Sequence, residues 1–123
     1  MAGNIKENVK MTKAEDFALL VIDLYKYLWF DKREYVMSKQ ILRSGTSIGA
    51  NIAEADCAES RQDFIHKINI SYKEANETCY WLRLLYKSGY IDQYKYEDCY
   101  RLANEIVRIL SSVLISAKGD KPF

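Results

Sequence analysis

Ser44-Gly45-Thr46-Ser47-Ile48-Gly49-Ala50-Asn51-Ile52-Ala53 is the stretch whose reading decides the fold. It carries no charge, sets two glycines four apart and uses small side chains almost throughout, in a chain that is 28% charged. A solvated helix rarely goes so long without charge. A helix carrying this stretch is therefore expected to be covered on most sides and to be the central, most enclosed helix of a helical assembly. Each glycine costs a helix interior about 1 kcal/mol relative to alanine, and close approach of a neighbouring helix would offset that. A phosphate-cradling loop is the rival for this composition, but the Gly-Lys-Ser/Thr ending that supplies charge and metal ligation is missing.

The helix expected around the stretch runs from Tyr35 to Ala55 or a little further and carries three rows. Ile41, Gly45, Ile48 and Ile52 form an apolar row at helical spacing. Thr46, Ala50, Ala53 and Cys57 form a row of small residues. Gln40, Ser44, Ser47, Asn51 and Glu54 form a polar, mostly uncharged row, which has the character of a surface that meets protein rather than bulk water. A bundle core uses the first row and part of the second, so the remainder points to an oligomer interface.

On the N-terminal side, residues 1–12 read as a mobile arm, and Thr12 with Glu15 reads as a capping box. Phe17, Val21, Leu24 and Leu28 then mark a helix from Lys13 to Phe30, with Ala18, Ile22, Tyr25 and Trp29 as an adjacent row. Asp31-Lys32-Arg33-Glu34 is a charged corner where the chain turns. On the C-terminal side, Ser60 and Asp63 repeat the start signal. Phe64, Ile68, Ser71, Ala75, Thr78, Leu82 and Leu85 then predict a helix from Arg61 to Ser88. Gly89 sits at a C-cap position and Asp92 at an N-cap position. Cys99, Leu102, Ile106, Ile109 and Val113 mark a last helix ending near Ala117, followed by a frayed tail at residues 118–123. Four helices with short links predict an all-α, antiparallel up-down-up-down four-helix bundle over residues 13–117.

Composition agrees with a single helical domain. The chain has 123 residues, 49% of them apolar, with only five glycines and one proline, too few for a turn-rich β-fold. Lys and Arg total 18 against 17 Asp and Glu, so charge gives no support for nucleic-acid binding, although a local patch can hide inside a neutral total. No segment approaches the ~18–20 apolar residues of a membrane span, and the polar N-terminus lacks a signal-peptide centre. Cytoplasmic residence is expected. Cys57, Cys79 and Cys99 are odd in number and far apart, and read as reduced, buried thiols.

Catalytic chemistry finds little footing. His66 is the only histidine, which removes sites needing several imidazoles. A carboxylate-bridged di-iron bundle wants a Glu-x-x-His from each of two helices, and only Asp63-x-x-His66 is present. No cysteine sits beside a cue for activation. A non-enzymatic protein with no metal and no cofactor is expected, with His66 a partly exposed polar residue.

The ten tyrosines are more informative. Several adjoin a cation, as in Tyr72-Lys73, Tyr86-Lys87, Tyr94-Lys95-Tyr96 and Tyr100-Arg101. Aromatic and basic residues interleaved in this way suit RNA, by stacking and phosphate pairing. Lys67, Lys73, Arg83, Lys87, Lys95, Arg101 and Arg108 are the candidate nucleic-acid contacts. The competing reading is a solvated face, with Glu97, Arg101 and Glu105 at salt-bridge spacing and tyrosines rimming the bundle. Copying a weak patch around an oligomer would make it multivalent.

The run from Gln40 through Arg43, Ser44, Gly45, Ser47, Gly49, Ala50, Asn51, Ala53 and Glu54 to Ala55 resembles the signature of the four-helix-bundle proteins encoded in 23S rRNA intervening sequences. Ser60, Asp63-Phe64, Lys73-Glu74-Ala75, Glu77-Thr78, Tyr80-Trp81-Leu82 and Gly89-Tyr90-Ile91 extend the resemblance over nearly the whole chain after the first ten residues. Many members have proline at the position of Gly49 and glycine at that of Ala55, so this chain is similar to a related branch. The resemblance implies an antiparallel bundle assembling into a homopentameric ring, with no catalytic residues to carry over. It also implies kinship with the accessory variability determinant of diversity-generating retroelements, a basic pentamer that binds nucleic acid and a reverse transcriptase. The expected function is a homo-oligomeric, RNA- or ribonucleoprotein-associated accessory, with RNA or DNA, a reverse transcriptase or another protein as partner and no membrane. The alternative is a protein-interaction scaffold that binds no nucleic acid.

Overall fold

The computed structural model describes residues 9–119, which form four helices and no strand. Helix α1 spans Val9–Lys26 and continues into a π-helical turn, Tyr27–Asp31; α2 spans Met37–Asp56, α3 Arg61–Lys87 and α4 Gln93–Gly119. The expected arm at residues 1–12 and tail at 118–123 lie outside the described residues at positions 1–8 and 120–123. The rest of both is helical, so Thr12 lies inside α1 and is not its N-cap. The residues before it have reason to continue the helix: Lys10 reaches Asp56 at 3.2 Å and Met11 packs against the core.

The core follows the rows read from the sequence, with one shift. Phe17, Val21, Leu24 and Leu28 of α1 are buried with Ala14. Ile41, Gly45, Ile48 and Ile52 of α2 are buried with Ser38, Ser44 and Ala55. On α3 the buried set is Ile68, Ser71, Ala75, Thr78, Cys79, Leu82 and Leu85. On α4, however, Cys99 and Ile106 are joined by Ala103, Leu110 and Leu114, while Leu102, Ile109 and Val113 are only half-buried. The sequence there holds two adjacent apolar rows. The inward row is the one with alanine at position 103, where a small side chain lets the helix approach its neighbours.

The links obey local chemistry. Ser60 accepts a hydrogen bond from the Asp63 N–H at 3.0 Å, starting α3. Gly89 takes φ 86° after α3, and the Tyr90 N–H bonds to the Leu85 carbonyl at 2.9 Å and the Gly89 N–H to that of Tyr86 at 3.1 Å, a Schellman ending. The Asp92 carboxylate then receives the Lys95 N–H at 2.8 Å and opens α4. Cys57 terminates α2, its N–H bonding to the Glu54 carbonyl at 3.1 Å. That capping position leaves Cys57 exposed, against the expectation that all three thiols are buried; Cys79 and Cys99 are buried, and all three are free.

Each helix packs against two others: α1 on α2 and α4, α3 on α2 and α4. Contact partners run in opposite order along paired helices. Between α2 and α3, Glu54 meets Lys67, Ile48 meets Ser71, and Ser44 meets Thr78. Between α1 and α4, Lys13 meets Glu105 and Tyr27 meets Lys95.

Candidate functional site

The charge-free stretch divides between three faces of α2. A Cβ placed on Gly45 would come within 2.8 and 2.9 Å of the Val21 methyl carbons, and one on Gly49 would lie 3.5 Å from Ala14. Gly45 therefore does serve close approach, to α1, whereas a side-chain carbon at Gly49 would make only ordinary contact with Ala14. Ser44 points the other way, into the α3 seam, where its buried hydroxyl accepts a 2.8 Å hydrogen bond from Thr78. Ser44, read as part of a surface that meets protein, thus meets α3 of its own chain. Further out, Arg43 pairs with Glu74 at 3.2 Å and with Glu77, touches Gln40 at 3.4 Å, and shares Glu77 with the Trp81 indole N–H at 2.9 Å. Ser47 and Asn51 bond back onto the α2 carbonyls of Arg43 and Ser47 at 2.6 and 2.8 Å, a local use of short polar side chains.

The third face stays open. Ala50, Ala53 and Cys57 are exposed and Thr46 is half-buried. Among the described residues of one chain, α2 is thus covered on two sides, and Ala50, Ala53 and Cys57 of the small-residue row stay uncovered. Ala50 and Ala53 were read as interface residues, and they stand on a surface another helix can approach closely.

The seven candidate cations do not form one surface. Lys67 lies across the α2–α3 seam, 2.8 Å from Glu54, and this hydrogen bond raises its pKa. Lys95 lies on the opposite side, its Nζ 4.4 Å from the Tyr27 ring centroid across the α1–α4 seam. Arg83 sits near Cys79 and Tyr96. Lys73, Lys87, Arg101 and Arg108 are exposed. The accompanying tyrosines stack on one another: Tyr86 and Tyr96 at 4.6 Å, Tyr96 and Tyr100 at 5.2 Å. Burial raises the Tyr96 pKa. The expected Glu97–Arg101–Glu105 ladder is replaced by a Gln93–Glu97 hydrogen bond of 2.9 Å and the Lys13–Glu105 pair at 3.1 Å.

A different place gathers aromatic side chains and cations. At the α1–α2 corner, the π-helical turn closes with the Lys32 N–H on the Tyr27 carbonyl at 3.2 Å. Arg33 then adopts φ 55°, uncommon for a residue with a side chain. The buried carboxylate of Glu34 accepts the N–H groups of Val36, Met37 and Ser38 at 3.2, 3.0 and 2.6 Å, capping the start of α2. Held on this frame are Phe30, 71% exposed, and Val36, 72% exposed. Beside them Trp29 packs between Tyr25 at 5.6 Å and Tyr35 at 4.7 Å. Lys39 sits 5.3 Å over Trp29 and Lys32 5.9 Å over Tyr27. Sequence reasoning saw only a charged turn here. The available signal was the pair of apolar dipeptides, Trp29-Phe30 and Tyr35-Val36, bracketing the charges.

Among the described residues no group of three or more His, Cys, Asp or Glu side chains is arranged to hold a metal ion, and His66 is exposed. No helix is long and apolar enough to cross a membrane.

Comparison with known proteins agrees with the fold. The family described as 23S rRNA-intervening sequence protein matches residues 6–112. A crystal structure of a protein of unknown function from the S23 ribosomal protein family of Bacteroides thetaiotaomicron is similar, with 53% identity and a TM-score of 0.87 over 89% of this chain and 97% of that one. No curated protein matches the chain.

Proposed function

The chain belongs to the 23S rRNA-intervening sequence protein family, and on that premise we propose that it is a non-enzymatic, nucleic-acid- or ribonucleoprotein-associated accessory protein. The observation that carries this reading is the α1–α2 corner. Its frame presents exposed Phe30 and Tyr35 with Trp29, and sets Lys39 over Trp29 and Lys32 over Tyr27, the combination of stacking faces and phosphate partners that unpaired nucleotides use. The α3–α4 cations supply secondary contacts.

The reading includes assembly. The partner order along each helix pair supports an antiparallel up-down-up-down bundle. The uncovered row of Thr46, Ala50 and Ala53 on α2 supports docking of another copy, with a ring of five as the proposed closed form, which would repeat the corner around the assembly. Cytoplasmic residence and a nucleic-acid-processing partner such as a reverse transcriptase complete it. Exposed Phe30 and Val36 favour the second reading, a scaffold whose partner is protein alone.

Fluorescence anisotropy with labelled single-stranded RNA and DNA discriminates the two. Binding at about 50 mM salt that falls steeply toward 200 mM, and that Phe30→Ala with Lys32→Gln and Lys39→Gln weakens at least tenfold, is the expected result. No binding to either probe at low salt overturns the nucleic-acid reading. In a parallel measurement, Ala50→Glu with Ala53→Glu is expected to reduce the mass in light scattering while helicity is kept.

A further inference from the structure

The seam between α1 and α4 is incompletely filled. A cavity of about 170 Å³ opens there, below the ~300–1,000 Å³ of sites for drug-sized ligands. Its floor is apolar, made by Leu20, Leu24 and Cys99. Its rim carries the Tyr27 and Tyr94 side chains and two carboxylates, Asp23 and Asp98. Asp23 and Asp98 make no hydrogen bond or ion pair among the described residues. Tyr94 is 79% exposed.

One cation also lines this cavity. Lys95 does not pair with either carboxylate; its Nζ sits 4.4 Å from the Tyr27 centroid, a cation–π contact. The rim thus carries two carboxylates and one ammonium over an apolar floor. Arg101 lies farther along the groove, in an adjoining recess that Leu20 and Asp98 line together with Leu102 and Glu105; Glu105 is held by Lys13 at 3.1 Å, and Arg101 makes no ion pair with Asp98.

We propose that this cavity is a binding site for a short alkylammonium ligand, a primary amine or diamine on an apolar stem. The stem lies on Leu20 and Leu24. The ammonium is held between the Asp23 and Asp98 carboxylates and against the Tyr94 face. The Lys95–Tyr27 contact is the same chemistry made internally, an ammonium on a methylene stem resting on a tyrosine of this very wall. Two carboxylates against one ammonium on the rim disfavour an anion, and a neutral alcohol lacks the charge that would attract it to Asp23 and Asp98.

The test is a titration of ¹⁵N-labelled full-length protein with cadaverine, followed by amide chemical shifts, with 1,5-pentanediol as the uncharged control. Saturable shifts are expected at Leu20, Leu24, Asp98 and Cys99, with the diol at least tenfold weaker. Asp23→Asn with Asp98→Asn, both at exposed carboxylates, is expected to weaken cadaverine at least tenfold. Lys95→Gln, which removes the positive charge of the rim and the nearer of the two ammoniums over Tyr27, is expected to tighten it severalfold. The proposal is overturned by an absence of saturable shifts, by shifts confined to another surface, or by equal binding of the diol. Unchanged affinity in the double variant, with its native spectrum retained, overturns it as well.

Discussion

The α1–α2 and α2–α3 seams and the α1–α4 seam are closed in different ways. Where α2 meets α1, Gly45 removes a side chain so that Val21 can sit against backbone. Where α2 meets α3, buried Ser44 and Thr78 bond to each other and Ser71 bonds to the Ile48 carbonyl at 2.8 Å. Across α1–α4 the direct ties are one half-exposed ion pair and one cation–π contact, with a cavity between. The contrast teaches that the conspicuous uncharged stretch specifies fit on two sides of α2. The opposite side of the bundle instead keeps a cavity of about 170 Å³ between its helices.

The largest test of that contrast is Gly45→Leu, expected to cost about 3 kcal/mol by overpacking against Val21, read from urea unfolding. Adding Val21→Ala is expected to recover much of the loss; no recovery would mean that the glycine does something other than admit Val21. Thr78→Val is expected to cost about 1–2 kcal/mol, because a buried serine loses its partner. In a double-mutant cycle, Ser44→Ala is expected to be less than additive with it.

Next comes a pH effect at the looser seam. Burial, with a smaller push from Asp98, raises the Cys99 thiol from about 9 to about 11. The folded state thus holds its proton more tightly than the unfolded chain does. The corresponding stability is complete below pH 9 and is lost as pH rises toward 11. Urea midpoints are expected to fall over this window, and Cys99→Ala to lessen the fall. The smallest effect is expected for Lys13→Ala, about 0.5 kcal/mol or less, since its pair with Glu105 is partly solvated. A loss as large as that of Thr78→Val would erase the distinction between the seams.

The sequence announced the helices and most of the core because heptad-like spacing survives in α1, α2 and α3 with little ambiguity. It misplaced the α4 core because Leu102-Ala103, Ile109-Leu110 and Val113-Leu114 offer apolar residues at both adjacent phases. The row of Ser44 reads as one that meets protein, but which protein depends on a partner across the seam, here Thr78, that one-dimensional spacing does not show. The corner was missed for a related reason. Its aromatic grouping arises from a π-turn, a left-handed Arg33 and a carboxylate cap acting together, and none of these has a periodic signature.

The π-helical turn at Tyr27–Asp31 also bears on how the molecule can vary. Its hydrogen bonds reach one residue farther than those of an α-helix, so it acts as a phase shifter between the rows of α1 and the side chains displayed beyond them. A single-residue insertion or deletion within these five positions would re-aim Phe30 while leaving Val21, Leu24 and the α2 glycines in register. The end of the bundle is therefore where a lineage can change the side chains it displays without renegotiating how it folds.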